Sequence, residues 1–160
     1  MGSVDSPRDS STRIRIGSKL SKAFERMEEK IRERAYQIFK GRAPSEGDSM
    51  TDWLEAQLQV LAPIDLVVKD QKKNVVVEGN LKEFSPKEIE VEVGANDLRV
   101  FGLHTESTTG KKRGSTQSSS RTVYFYQAVP LPCEVDMDGS QAKLLKNGKL
   151  KITLPKLQTG

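Results

Sequence analysis

Side chains able to carry acid–base, nucleophilic or metal chemistry are few in this 160-residue chain: it holds one histidine and one cysteine. Metal sites need clustered His, Cys, Asp or Glu ligands, and the chain offers one His, one Cys and no D-x-D-x-D-G arrangement. His104 reads as an exposed loop histidine. Cys133, next to Pro132 and without a basic cluster to depress its pKa, reads as an incidental thiol. A Ser–His–Asp triad would have to use His104, and no G-x-S-x-G elbow exists. Glu88, Glu90 and Glu92 alternate within "EIEVEV", which predicts a solvated strand face rather than a general acid–base pair. The short basic stretches "RIRIG" (13–17) and "GKKRG" (110–114) could touch phosphate, but no aromatic platform accompanies them, so nucleic-acid binding is not expected. The expectation is a non-enzyme with no catalytic residue, no metal and no cofactor.

Composition suits a soluble globular protein with some disordered margin. Hydrophobic residues make up 35% and charged residues 30%, with 26 basic against 22 acidic side chains giving a net charge of +4. The signs are interspersed, so the surface is mixed rather than a phosphate-binding face. One cysteine allows no internal disulfide and fits a reducing compartment. The first fifteen residues carry Asp5, Arg8, Asp9 and Arg13 and no apolar signal core, and runs such as Val75-Val76-Val77 are far short of the roughly 20 residues a membrane helix needs. A cytoplasmic location without membrane contact is expected.

Two kinds of element must hold these residues. Residues 1–17, rich in Ser, Gly, Asp and Arg, predict a disordered arm. Residues 18–62 predict a helical hairpin. Leu20, Phe24, Met27, Ile31, Ala35 and Ile38 recur at helical spacing up to Gly41, and a second helix starts near Ser49, capped by Ser49 with Asp52. Trp53, Leu54, Gln57, Leu58 and Leu61 line its apolar face, and Pro63 ends it. Such a pair has little core of its own and is expected to pack on something else. Phe24, Met27, Phe39 and Trp53 are its candidate contacts, with each other or with partners.

Beyond Pro63 the period changes to two. Strands are expected over 64–69, 74–79, 88–93 and 97–102, then in "TVYFYQAVPL" (122–131), and in two arms joined at Asn147-Gly148, a dipeptide suited to a two-residue hairpin. About seven or eight short antiparallel strands argue for a mainly β, immunoglobulin-like sandwich over 63–156, followed by a short tail at 157–160. Residues 103–120 predict a long polar loop, functional or disordered.

Three stretches resemble the α-crystallin domain of the small heat-shock proteins: "VVVEGNLKEFSPKEIEVEVGANDLRVFG" (75–102), "FYQAVPLP" (125–132) and "VDMDGSQAKLLKNGKLKITLPK" (135–156). The last carries the most specific signature: Val135, Asp136, Ala142, Asn147, Gly148, Leu150, Pro155 and Lys156. Residues 27–60 are similar to a short bacterial helical domain of unknown function. The resemblance implies an ATP-independent, stress-related holdase that binds partly unfolded client proteins and self-associates as a dimer or small oligomer. In the family, a groove between the strands matching "IEVEV" and "AKLLK" receives an I-x-I peptide from another chain's tail. This assigns Val91, Val93 and Leu144 to the groove.

The sequence departs from the pattern. After Lys156 only "LQTG" follows, without an I-x-I tail, and Ile14-Arg15-Ile16 is the candidate docking motif in its place. Gln127 stands where the family has an arginine, Lys82-Glu83 where it has Pro-Gly, and "TQSSS" offers little for strand exchange between subunits. These departures favour the alternative, a non-chaperone scaffold or adaptor whose sandwich binds one specific folded partner.

Overall fold

A computed structural model describes residues 11–17, 20–43, 47–112 and 114–157. The chain enters it through two short strands where disorder was expected. Strand β1 (Ser11–Ile14) and strand β2 (Ile16–Gly17) both lie against the sandwich. The expectation for residues 1–17 is corrected over 11–17, and residues 1–10 lie outside the described residues. A polar average hides two apolar anchors: Ile14 is buried and Ile16 packs against the core.

Helix α1 (Lys22–Gly41) is capped by Ser21, whose hydroxyl accepts from the Ala23 N–H. The expected cap, Ser49, is instead the first residue of helix α2 (Ser49–Val60). Asp48 is its N-cap and accepts from the Thr51 N–H at 2.9 Å, a bond that lowers its carboxyl pKa from the ordinary value. Asp52 has another role. It is only 3% exposed, and its two oxygens take Arg42 Nε at 2.7 Å and Nη2 at 3.0 Å. This paired, buried charge joins the end of α1 to the start of α2. No described helix is long and apolar enough to cross a membrane.

The rest is a mainly β, immunoglobulin-like sandwich. Its strands are β3 (Val67–Asp70), β4 (Asn74–Asn80), β5 (Ile89–Val93), β6 (Asp97–Lys112), β7 (Ser115–Pro130), β8 (Gln141–Leu145) and β9 (Lys149–Pro155). One sheet runs β1-β8-β9-β4-β3, the other β2-β5-β6-β7, and all pairings are antiparallel except β2 with β5. Period-two alternation places Val75, Val77, Val91, Val100, Phe125, Leu150, Ile152 and Leu154 in one aliphatic core between the sheets. The odd and even positions of β6 and β7 serve different layers. Phe101 and Tyr124 face outward and meet Phe24, Met27, Ile31 and Ala56 of the helices in a second core, with Trp53 and Tyr126 packed against it. The hairpin thus packs on the outer face of the sheet.

Two strand expectations change. The first strand begins at Val67 rather than residue 64, because the Leu66 N–H is taken by Gln127 Oε1 at 3.1 Å and the Ile64 N–H by the Ala62 carbonyl. The polar stretch 103–120 is a two-stranded ribbon, paired from Leu103↔Tyr124 out to Lys112↔Ser115. Few of its side chains can be buried, so the period gave no strand signal, whereas the backbone ladder closes through a turn with Gly114 at φ 82°.

Candidate functional site

The expected groove residues converge at one end of the sandwich. Val91 and Val93 on β5, with Ala142 and Leu144 on β8, are buried members of the sandwich core, and these two strands belong to different sheets. Between them lies the chain's own arm. Ile14 pairs in register with Ala142 and is 4% exposed, while Ile16 sits opposite Val91. Residues 11–14 extend one sheet and residues 16–17 the other, so the arm crosses from sheet to sheet within a single residue. Its aliphatic side chains point in; Arg13 and Arg15 are exposed. Burying Ile14 alone contributes about 1.5–3 kcal/mol, offset by the entropy of ordering the segment, about 1–2 kcal/mol per residue.

An open cleft of about 820 Å³ flanks the arm, lined among others by Arg13, Arg15, Lys87, Glu90 and Val91. The glutamates of "EIEVEV", expected to face solvent, each hold a partner instead. Glu90 accepts from the Ser21 N–H at 2.8 Å and the Ser21 hydroxyl at 2.6 Å. Glu92 takes Arg99 Nη1 at 2.8 Å, and Arg99 Nε donates to the Tyr126 hydroxyl at 3.1 Å. Those two hydrogen bonds, Tyr126 first, raise the Arg99 pKa, and the guanidinium lies 4.9 Å from the Phe24 ring centroid. Glu88 is not on the strand but in a 3₁₀ turn, Pro86–Glu88, where it closes a capping box with Ser85 and lies 3.0 Å from His104 Nδ1. His104 therefore is not a free loop histidine. The hydrogen bond to Glu88 raises its pKa above the ordinary 6.5. Partial burial pushes Glu88 up, but bonds from Ser85 and His104 leave it lowered on balance.

The signature residues frame this region. Asn147 accepts from the Lys149 N–H at 3.0 Å, and Gly148 takes φ 89°. A Cβ on Gly148 would lie 2.6 Å from Lys82 Cα, so the turn and residue 82, where the family's Pro-Gly is replaced, are pressed together. Leu150 is fully buried and Pro155 pairs with Asn74. Gln127, the other substituted position, holds Leu66 and so pins the segment leaving α2. Among the described residues, no group of three or more His, Cys, Asp or Glu is placed to hold a metal. Of the candidate contacts in the hairpin, Phe24 and Met27 are buried, Trp53 is half-buried, and Phe39 is exposed and stacked on Tyr36.

Sequence reasoning missed Arg99, Asp52 and the roles of the glutamates. The available signal was a row of carboxylates beside a helical hairpin that lacked a core of its own.

The Hsp20/alpha crystallin family model matches residues 56–160, and a family described as a protein of unknown function (DUF2934) matches residues 26–62. No curated protein matches the chain at a significant level. Solved structures similar to it include heat shock protein 16.0 from Schizosaccharomyces pombe, at 22% identity over 60% of this chain and 75% of that one, with a TM-score of 0.48. HspA from Xanthomonas axonopodis is 23% identical over 61% of this chain and 96% of that one, with a TM-score of 0.44. Stress-induced protein 1 from Caenorhabditis elegans is 22% identical over 59% and 89%, with a TM-score of 0.41. Membership rests on the family model, whose span takes in the whole sandwich from Leu66 to Lys156 and the Asn147-Gly148 hairpin; the chain belongs to the Hsp20/alpha crystallin family, the small heat-shock proteins.

Proposed function

We propose that this small heat-shock protein is an ATP-independent holdase, which binds partly unfolded client proteins in extended form and keeps them from aggregating. The observation that carries this reading is the β5–β8 groove, filled by a short arm that buries Ile14 in it. A holdase needs apolar strand-edge surface that can be covered and uncovered, and a client strand would take the ladder positions that residues 11–17 hold. Exposed apolar side chains elsewhere, Leu54 and Leu58 on α2 and Val67 on β3, add client contacts or self-association surface in a dimer or small oligomer. The reading places the protein in a bacterial cytoplasm, without cofactor.

A second reading is an adaptor without chaperone activity. It is favoured by the same arm, which leaves the groove occupied within one chain. Light scattering from a heat-aggregating model protein, in buffer free of ATP, separates the two. Suppression at about equal mass supports the holdase, and no suppression across a range of temperatures moves the function to the adaptor.

A further inference from the structure

Ser21 stands at a junction. It caps α1, and both its N–H and its hydroxyl donate to Glu90 on β5. On its C-terminal side, α1 is anchored by Phe24, Met27 and Ile31 in the second core. On its N-terminal side, the described part of the arm is held by short ladders on β8 and β5, by Ile14 and Ile16 and by contacts of its first strand with the Pro86–Glu88 turn. We propose that Ser21 and Glu90 form a buckle that keeps residues 11–17 strapped in the groove, and that opening it lets an extended aliphatic–basic–aliphatic peptide exchange into their place. This rests on the reading of the β5–β8 groove as a peptide-binding surface.

Three features support a device rather than a fixed part of the core. Glu90 projects from the outward face of β5 and contributes nothing to the aliphatic core, so it can change without disturbing the sandwich. Its carboxylate meets both Ser21 donors at the start of a helix, where negative charge is favoured and charge-assisted hydrogen bonds are strong. The cleft beside it carries Lys87, Arg13 and Arg15, so a released Glu90 has cationic partners nearby, including the basic residue of an incoming peptide. A tethered segment competes at an effective concentration on the order of millimolar. Any peptide arriving from outside meets that barrier until the tether loosens.

The test uses the full chain and, as probe, a fluorescent synthetic peptide with the sequence of residues 10–18. Glu90→Ala removes the acceptor, and Ser21→Ala removes one of the two donors. Loss of one charge-assisted hydrogen bond corresponds to about a tenfold change in the strapping equilibrium. Glu90→Ala, which removes both bonds, should therefore bind the peptide up to about a hundredfold more tightly than wild type and be cut by trypsin after Arg13 and Arg15 correspondingly faster, and Ser21→Ala, which removes one, about tenfold. Equal affinity and equal cleavage in wild type and Glu90→Ala overturn the buckle. Ile14→Asp evicts the arm directly. If it stays folded and takes up the peptide while Glu90→Ala does not, the groove exchanges peptides but the buckle does not control it, and the proposal fails. If a folded Ile14→Asp binds no peptide, the groove reading falls as well. Should Ile14→Asp not fold, the comparison of wild type with Glu90→Ala still decides. Aggregation suppression is scored separately, so failure of the holdase reading remains distinct from failure of the buckle.

Discussion

The two open ends of this sandwich are treated in opposite ways. At one, β5 and β8 present Val91, Val93, Ala142 and Leu144, and the chain spends its own N-terminal segment to cover them. At the other, β3 has every residue exposed, Val67 at 56%, and nothing among the described residues pairs with its outer side. The bare edge is short and charged: Lys69 pairs with Glu78 at 2.7 Å and Asp70 with Lys156 at 2.7 Å. Charge on a short strand discourages edge-to-edge pairing. The other edge also carries charges, Glu90, Glu92 and Lys143, but Val91, Val93, Ala142 and Leu144 point into the core beside it and the arm covers them. The difference teaches that the fold covers its apolar edge with its own chain and leaves bare the short charged one.

The strongest way to break the contrast is Gly148→Val. Valine at a positive φ, with its Cβ against Lys82, should cost about 2–4 kcal/mol, read from urea unfolding. The damage should concentrate in β8 and the arm, with hydrogen exchange on β3 and β4 rising less. Uniform loss across both ends would mean that the edges are not independent. Next in size, Leu144→Asp places a charge in the groove and should lose about 2–3 kcal/mol while freeing the arm. Tryptic cleavage at Arg13 and Arg15 then quickens, and sedimentation reports weaker self-association. Assembly identical to wild type would show that the groove has no part in it.

A smaller effect separates the ends by pH. The folded-state pKa of His104 is raised, so its stabilising contact with Glu88 is complete below 6.5 and fades as pH climbs through the raised value. At the bare edge, bonding to Lys69 lowers the Glu78 pKa and bonding to Asp70 raises that of Lys156; neither titrates near neutrality. Protection factors, with the intrinsic pH dependence of exchange divided out, should therefore fall as pH rises above 6.5 in the turn leading into β5, with those of β3 unmoved. His104→Gln should flatten that response; a persisting response would place its origin elsewhere. The smallest change is Val67→Lys, within about 0.5 kcal/mol of wild type as for most surface substitutions. A larger loss would mean that β3 is not as bare as it looks.

Much of this was legible beforehand because alternation is a local property. "IEVEV" and "KLKITLP" declare which side chains face inward, Asn147-Gly148 declares a turn, and the α1 stripe declares a helix that needs a cover. The ribbon was not legible, since serine, threonine and glycine give no inside or outside to alternate between. The arm was half legible: Ile14-Arg15-Ile16 had the shape of a docking motif, yet nothing local says which groove a strand enters. Glu90, Glu92 and Arg99 were illegible for the same reason, because each bonds to a residue on a separate element.

The sequence by itself determined the alternating strands of the sandwich, the helices, the sandwich class and the poverty of catalytic groups, because those follow from side-chain types and their period. Only the tertiary structure decided that the helical hairpin lies on the outer face of the sheet, that carboxylates with a solvent-facing pattern are its fastenings, and that the groove is closed by its own chain. Those outcomes depend on which distant segments meet. Pairing of that kind is settled by the summed burial and hydrogen bonding of the whole fold, not by any stretch of residues within it.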